Sequence, residues 1–590
     1  MSETKSELLH RILYIDLDRL TYKVSERPDL FDAGLGGTGV GIQLLAEHCP
    51  PNADPLGPHN PIIFVVGPLV GHYPLASKTV ALFKSPHTGN LGESHAGGRS
   101  AVAIRMAGYG AIVIQGKSKF PVYLSIEGDQ VHFKDAAALW GMRSSYTIGS
   151  VLRSRETGRG LRSIMRIGRA GERQVSYASV TTETYRHFGR LGLGAVFGSK
   201  NLKAIVVSGK HSLPVSDRKA YRKTYDEIFR AVTETPLMKK YHELGTAMNV
   251  SPLNLIGGLP TRNLQSGSFE GAEAISGERL AADYLGRRVA CVHCPTACIH
   301  LATLRIPYPH DPYFYKTMML GYDHELIYAM GSMLGISDVP QMLQVIDEAE
   351  IQGLDVMSTG VVLAWATEAM ERKLVSEKET DGLALAWGKA PTYIEAIQRI
   401  VSQPTDFYRA LARGADHAAA TYGGEDFSLT FGGNEMPGYH TGPGCHLGYL
   451  SGARHSHLDS AGYSLDQKAL DADKFPSPQE AAATLREEEA WRQVLSSLVI
   501  CFFARGVYTP EIIQQALGAI GVTYSADNLK QLGANILQQK HQFKEREGFD
   551  LKNIRIPKRI LETPSPLGKI DEGYMRQALS FFEEQNEIEQ

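Results

Sequence analysis

The chain has 590 residues, 43% of them hydrophobic, and 61 basic against 64 acidic side chains give a net charge of −3. That length buries large cores and predicts two to four domains, while the near balance of charge removes any bulk attraction to nucleic acid or an acidic membrane surface. No apolar stretch approaches the roughly 18–20 residues that span a bilayer, the N-terminus lacks the basic-then-apolar pattern of a secretory leader, and six cysteines are too sparse for a disulfide framework, so a cytoplasmic protein without membrane insertion is expected.

Residues 1–213 alternate short β-rich runs, among them Ile12–Leu17, Pro61–Val66, Ala111–Gln115, Val122–Ile126 and Ala204–Val207, with glycine turns. The 59 glycines are about a tenth of the chain against a usual ~7%, and their excess in this part implies tight turns and close backbone approach. Near Ser212–Asp217 the texture changes to a long helical pattern that Ser216 or Asp217 would cap. Helical periodicity, as in Val339–Gln352 and Val361–Lys373, dominates to about residue 425, with a cysteine loop placed between helices. A glycine- and histidine-rich stretch then leads into further helices over 426–590, where only the last dozen residues look frayed. The expected fold is α+β: a β-rich domain over 1–213, a helical domain over 214–425 and a C-terminal helical domain over 426–590.

Several segments carry chemistry. Gly34–Gly41 has the glycine density of a dinucleotide fingerprint, but Pro50-Pro51 and a polar loop follow it where a second strand and an acidic residue are required; a glycine turn packing a helix closely or touching a ligand directly are the remaining readings. Gly67–Gly71, Lys84–Gly89 and Ser94–Gly98 are glycine-bearing turns whose backbone N–H groups suit anions. Thr184–Lys203 gathers Arg186, Arg190, Lys200 and Lys203 among glycines, a pattern fitted to phosphate.

The most specific feature is Cys291-Val-His-Cys294-Pro-Thr-Ala-Cys298, a C-x2-C-x3-C cluster holding half of the chain's six cysteines. Thiolates so spaced on one loop suit an iron–sulfur cluster or structural zinc. Cys501, in the apolar run Val494–Phe503, is the preferred fourth ligand over Cys49 and Cys445. Radical chemistry with S-adenosylmethionine uses the reverse spacing and is the weaker reading.

These segments together resemble the tungsten-containing aldehyde ferredoxin oxidoreductases over nearly the whole chain. The likeness rests on Gly67-Pro-Leu, Lys84-Ser-Pro, Ala107-Gly-Tyr109, Ile167–Glu172, Gly198–Ile205, the cysteine triplet, and Gly353-Leu-Asp355-Val-Met-Ser-Thr-Gly360, with Cys501 closing a second copy of that last signature. The resemblance implies tungsten, or alternatively molybdenum, held by two pterins on the β-rich domain, with Mg²⁺ bridging the pterin phosphates. It implies a [4Fe-4S] cluster on Cys291, Cys294, Cys298 and Cys501. Pterin or magnesium contacts fall on Lys78, His95, Gly97, Arg186 and His187, and on Glu350, Leu354, Asp355 and Ser496 in the two signatures. Glu325 and His457 are implied as acid–base groups near the metal, with His455 as rival to His457.

Four positions depart from the family: Lys78 for arginine, His95 for asparagine, Glu350 for aspartate, and Ser496-Ser-Leu-Val-Ile-Cys501 for Asp-x-x-Gly-Leu-Cys. Lysine lacks a planar fork, and Ser496 brings no negative charge. The Glu-x-x-His pattern of an intersubunit metal is missing, so a homo-oligomer is expected only without it. The implied activity is anaerobic, oxygen-sensitive oxidation of an aldehyde to a carboxylic acid, passing electrons to ferredoxin or an iron–sulfur partner subunit. Two alternatives are a reductive tungsten enzyme resembling the benzoyl-coenzyme A reductase catalytic subunit, and a non-catalytic zinc-stabilised scaffold.

Overall fold

Among the described residues of the first 210, twelve strands build two six-stranded sheets: β1 (Arg11–Asp16), β2 (Thr21–Glu26), β3 (Ile62–Val65), β4 (Thr79–Lys84), β5 (Leu91–Ala96), β6 (Ala111–Gln115), β7 (Val122–Glu127), β8 (Gln130–Asp135), β9 (Leu161–Ile167), β10 (Val180–Thr182), β11 (Arg186–Phe188) and β12 (Leu202–Gly209). Their orders are β2-β1-β6-β3-β4-β5 and β11-β10-β9-β12-β7-β8. All neighbours are antiparallel except β1 with β6 and β7 with β12. The continuous apolar runs of β3 and β4 are buried at every residue, as strands covered on both faces must be, whereas edge strand β2 is mostly exposed and carries Lys23 and Glu26. This computed structural model describes residues 7–308, 310–472 and 474–588.

The chain divides into two units that do not follow its order. The first joins Met1–Met238 to Ala290–Thr296 and Glu487–Phe549; the second joins Lys239–Val289, Ala297–Arg486 and Asp550–Gln590. Within the first, the glycine-rich run opens the Gly37–His48 helix, and a Cβ on Gly37, at φ +37°, would lie 2.1 Å from the Ser496 carbonyl oxygen. That run therefore packs backbone against backbone. The long helical pattern begins at Arg218, capped as expected by Asp217, which accepts from Lys219 and Ala220 N–H at 2.9 and 3.0 Å.

The second unit is mainly helical, as the periodicity predicts, with one correction. The cysteine segment lies between strands: β13 (Leu285–Val289) ends before it and β14 (Ile299–Tyr308) begins after it, pairing with β15 (Asp311–Tyr322). The strands of this hairpin are stabilised by pairing with each other and so leave no local pattern in the sequence. The C-terminus differs too: the Glu572–Ile588 helix runs through most of the segment read as frayed, and residues 589–590 lie outside the described residues. The overall class is α+β, sheets first and helices after.

Candidate functional site

In the first unit, Gly97 is a meeting point. A Cβ placed there would sit 2.7 Å from Cys291 Sγ, 3.5 Å from Lys78 Nζ and 3.9 Å from Arg186 Nε, so four of the residues singled out from the sequence converge. Gly97→Ala should force these groups apart at a cost of about 1–3 kcal/mol, to be read as a lower thermal midpoint together with a lower iron content. His187 follows Arg186 on β11 and so points to the opposite face.

Backbone contacts latch the cysteine loop to this site. Leu75 N–H donates to the His293 carbonyl (3.1 Å), Val292 N–H to Gly98 (3.0 Å) and Cys501 N–H to Leu75 (2.9 Å). His293 and Ala297 hold φ of +58° and +49°, letting the loop fold back on itself. Burial pushes the Cys291 thiol up, but the Arg186 and Lys78 cations and the Gly98 N–H outweigh it and hold the thiol below its ordinary range. Cys294 goes the other way, to about 11, through burial first and then repulsion from Cys501 and Cys291. Cys294, raised by Cys501 and Cys291, and Cys291, held down by two cations, belong to a donor set that an iron–sulfur unit would stabilise. Cys298 belongs to the second unit. The rival ligands are elsewhere engaged: Cys445 is fully buried with its thiol donating to the Gly442 carbonyl (3.2 Å), and Cys49 is buried beside Pro50. Among the described residues, no group of three or more His, Cys, Asp or Glu stands together as a site for one metal ion.

His95 is held by groups the sequence reading missed. Its Nε2 donates to Glu93 Oε1 at 2.7 Å, and Glu93 Oε2 accepts from Lys540 Nζ (2.5 Å) and Thr38 Oγ1 (2.8 Å). Glu93 and His95 are two apart on β5, which places them on one face; Lys540 comes from the distant Ala526–Arg546 helix, a pairing no local pattern announces.

The two signature segments have the same local geometry. At the end of the Val339–Gln352 helix, Gly353 is left-handed (φ +79°), its N–H reaches the Glu350 carbonyl at 3.2 Å, and Leu354 N–H reaches back to Ala349 at 3.0 Å. At the end of the Pro478–Ser497 helix, Val499 is left-handed (φ +53°), its N–H reaches Ser496 at 3.2 Å, and Ile500 N–H reaches back to Leu495 at 2.9 Å. Both are Schellman-type ends, so Glu350 matches Ser496 and Asp355 matches Cys501. Val499 stands where the family signature has glycine and pays for it with a strained backbone. Val499→Gly should raise stability by about 1 kcal/mol, measured by chemical denaturation. Asp355 caps the Val356–Glu371 helix, accepting from Met357 N–H (3.1 Å), Ser358 N–H (3.3 Å) and Ser358 Oγ (2.6 Å).

In the second unit, Asp323 caps the His324–Met330 helix and sets Glu325 in its first turn. Glu325 Oε2 accepts from Gly438 N–H at 3.0 Å, and Oε1 lies 3.4 Å from His457 Nε2. His457 opens a short helix fixed by a Ser456–Asp459 capping box. His455 is committed elsewhere: its Nδ1 donates to the Tyr449 carbonyl (2.8 Å), and its ring fills the space over Gly432. The pair is walled by Tyr439, whose ring centroid is 5.4 Å from His457, 4.8 Å from His324 and 5.0 Å from Tyr463. Burial, then the Glu325 charge, pushes the Tyr439 phenol far above its usual range. Burial also lowers His324 to about 4, so it stays neutral and donates from Nε2 to the Gly438 carbonyl (3.0 Å). The only sequence signal for this wall was the glycine- and histidine-rich texture after residue 425. An open cleft of about 650 Å³ lined by Tyr14, Asp16, Tyr22, Lys23 and Arg27 contains none of these groups.

The family model described as aldehyde ferredoxin oxidoreductase, N-terminal domain, matches residues 12–209, and the one described as domains 2 & 3 of the same enzyme matches 223–584. The chain belongs to the aldehyde ferredoxin oxidoreductase family. It is 32% identical over 574 residues, 95% of this chain and 92% of the relative, to a tungsten-containing aldehyde ferredoxin oxidoreductase of Thermococcus kodakarensis, and 30% identical over 574 residues, with the same shares, to that of Pyrococcus furiosus. A Pyrococcus furiosus relative named aliphatic sulfonate oxidoreductase, WOR-like subunit, is 30% identical over 425 residues, 69% of this chain and 66% of its own length. The active-site complex of benzoyl coenzyme A reductase bound to 1,5-dienoyl-CoA shares the fold at a TM-score of 0.83 and 20% identity, covering 98% of this chain and 94% of that one. This family member is thus an oxidoreductase, which removes the zinc scaffold as a reading. No helix among its described residues is long and apolar enough to cross a membrane.

Proposed function

We propose that this chain oxidises an aldehyde to a carboxylic acid at a tungsten bis-pterin centre, with molybdenum as the alternative metal. The observation that carries the reading is the Glu325–His457 pair at 3.4 Å, oriented by Gly438 and enclosed by Tyr439. Lys78, His95, Gly97, Arg186 and His187 of the first unit are the residues to contact pterin phosphates and their Mg²⁺. Ser496 belongs with them, and Glu350, Leu354 and Asp355 are the corresponding pterin contacts of the second unit. The clustering of two cations, Lys78 and Arg186, around Gly97 supports an anion beside them. The assignment of Cys291, Cys294, Cys298 and Cys501 to a [4Fe-4S] cluster is supported by the spacing of the triplet and by the effect of Cys501 and Cys291 on the Cys294 thiol, which they raise.

When bound, the tungsten–pterin group supplies Lewis acidity and accepts two electrons. Aldehyde and water yield carboxylic acid, two protons and two electrons. Glu325 takes a proton from water at Oε1, with Oε2 anchored on the Gly438 N–H. His457 Nε2 holds the carbonyl oxygen and shares the proton with Glu325. Tyr439 and Tyr463 exclude bulk water and present flat faces that favour an apolar or aromatic substituent. Cys291, Cys294, Cys298 and Cys501 would hold the cluster, which would supply the route for electrons to ferredoxin or an iron–sulfur partner.

Anaerobically purified protein should contain one tungsten or molybdenum and about four irons per chain, and should reduce a viologen dye with aldehydes. Stoichiometric zinc without tungsten, molybdenum or iron would overturn the assignment. Dye-coupled turnover of an aromatic thioester with no aldehyde activity would replace it by the reductive alternative.

A further inference from the structure

We infer that the β14–β15 hairpin is the docking arm for an acidic iron–sulfur electron acceptor, an inference that rests on the electron-transfer role proposed above. Tyr308, Tyr313, Phe314 and Tyr315 are 50%, 89%, 64% and 47% exposed, a concentration of large apolar side chains within eight residues at one end of the hairpin. Isolated exposed aromatics are ordinary; a cluster is the mark of a surface meant to be covered. Tyr, Phe and Arg are the side chains enriched in the centres of protein interfaces, and Arg305 lies 4.6 Å over the Tyr315 ring.

Charge identifies the occupant. Between Tyr284 and Tyr322 the chain has Arg287, Arg288 and Arg305 against the single carboxylate of Asp311, with Lys316 paired to Asp347 at 3.7 Å, although the whole protein is net negative at −3. Arg287 pairs with Leu301 on β14, whose alternation puts Leu301 and Arg305 on one face. Arg305 in turn pairs with Thr317 on β15, which shares that face with Tyr313 and Tyr315. A second copy docking through the same patch would set these arginines against each other, since an isologous contact is self-complementary. An acidic partner is drawn to them. The same stretch of chain contains Cys291, Cys294 and Cys298: β13 ends at Val289 and β14 starts at Ile299. A partner that receives electrons from those cysteines' cluster has reason to recognise the strands flanking them.

The test uses the full-length holoenzyme, its methyl viologen rate as internal control, and a small acidic [4Fe-4S] ferredoxin as probe. Tyr313→Ser/Phe314→Ser/Tyr315→Ser should raise the KM for ferredoxin about tenfold or more with the viologen rate unchanged, each factor of ten corresponding to about 1.4 kcal/mol of lost docking. Arg287→Glu/Arg305→Glu should raise it further at low salt and abolish the rise in KM that the wild type shows on adding salt. An unchanged ferredoxin KM in both variants overturns the inference. So does sedimentation showing a wild-type dimer that the aromatic variant converts to monomer while ferredoxin KM stays fixed, which makes the arm a self-association surface. If the wild type lacks viologen activity, the aldehyde reading fails by itself, and direct ferredoxin binding by surface plasmon resonance still decides whether the arm docks it.

Discussion

Glu325→Gln is expected to lower viologen-coupled aldehyde oxidation by about 10²–10⁴-fold while leaving tungsten and iron contents at wild-type values. The amide keeps the shape of the side chain and can still meet Gly438 N–H, which donates at 3.0 Å, but it cannot take a proton. Because Glu325 sits on the first turn of a helix capped independently by Asp323, its loss leaves the helix intact. His457→Phe should give a smaller fall in kcat with a rise in KM, since the ring would still stack near Tyr439 but offer no Nε2. Glu325→Gln combined with His457→Phe should cost little more than Glu325→Gln alone, because two groups 3.4 Å apart act as a unit. Full additivity, or loss of metal in Glu325→Gln, would mean that the pair is structural.

Cys294→Ser should remove most of the roughly four irons per chain expected of the cluster, along with its low-temperature electron paramagnetic resonance signal. Burial and its neighbours Cys501 and Cys291 disfavour Cys294 as a thiolate, so it gains from iron, and a hydroxyl there is a poorer soft-metal ligand. Cys445→Ser is the control. That thiol is fully buried and donates to the Gly442 carbonyl, and replacing it should leave iron unchanged. Equal iron loss in both would point to general unfolding, and retention of iron in Cys294→Ser would remove that residue from the ligand set.

Much of this protein was legible in the sequence because the signals are local. The apolar runs of β1, β3, β6, β7 and β12 are strands, Asp217 caps the helix it precedes, and the cysteine triplet lies on one loop. The signature Gly353-Leu-Asp355 is local in the same sense: a left-handed residue, a back-reaching N–H and a helix cap follow from a few consecutive side chains. Its second copy was harder to read, since Val499 occupies the left-handed position that glycine normally announces.

Other features come from groups far apart in the chain. The cysteine loop sits among strands because β14 and β15 satisfy each other's backbone, a pairing with no helical or local counterpart. Glu93 meets Lys540, and Glu325 meets His457 rather than His455, because folding selects which buried charges and rings can be matched and leaves the others to the core. Local periodicity and spacing thus determined the strands, the helix caps and the cysteine loop. Only the tertiary structure decided which carboxylate faces which histidine and which cation offsets which thiolate, because those choices are settled by desolvation and packing across elements that no sequence window contains.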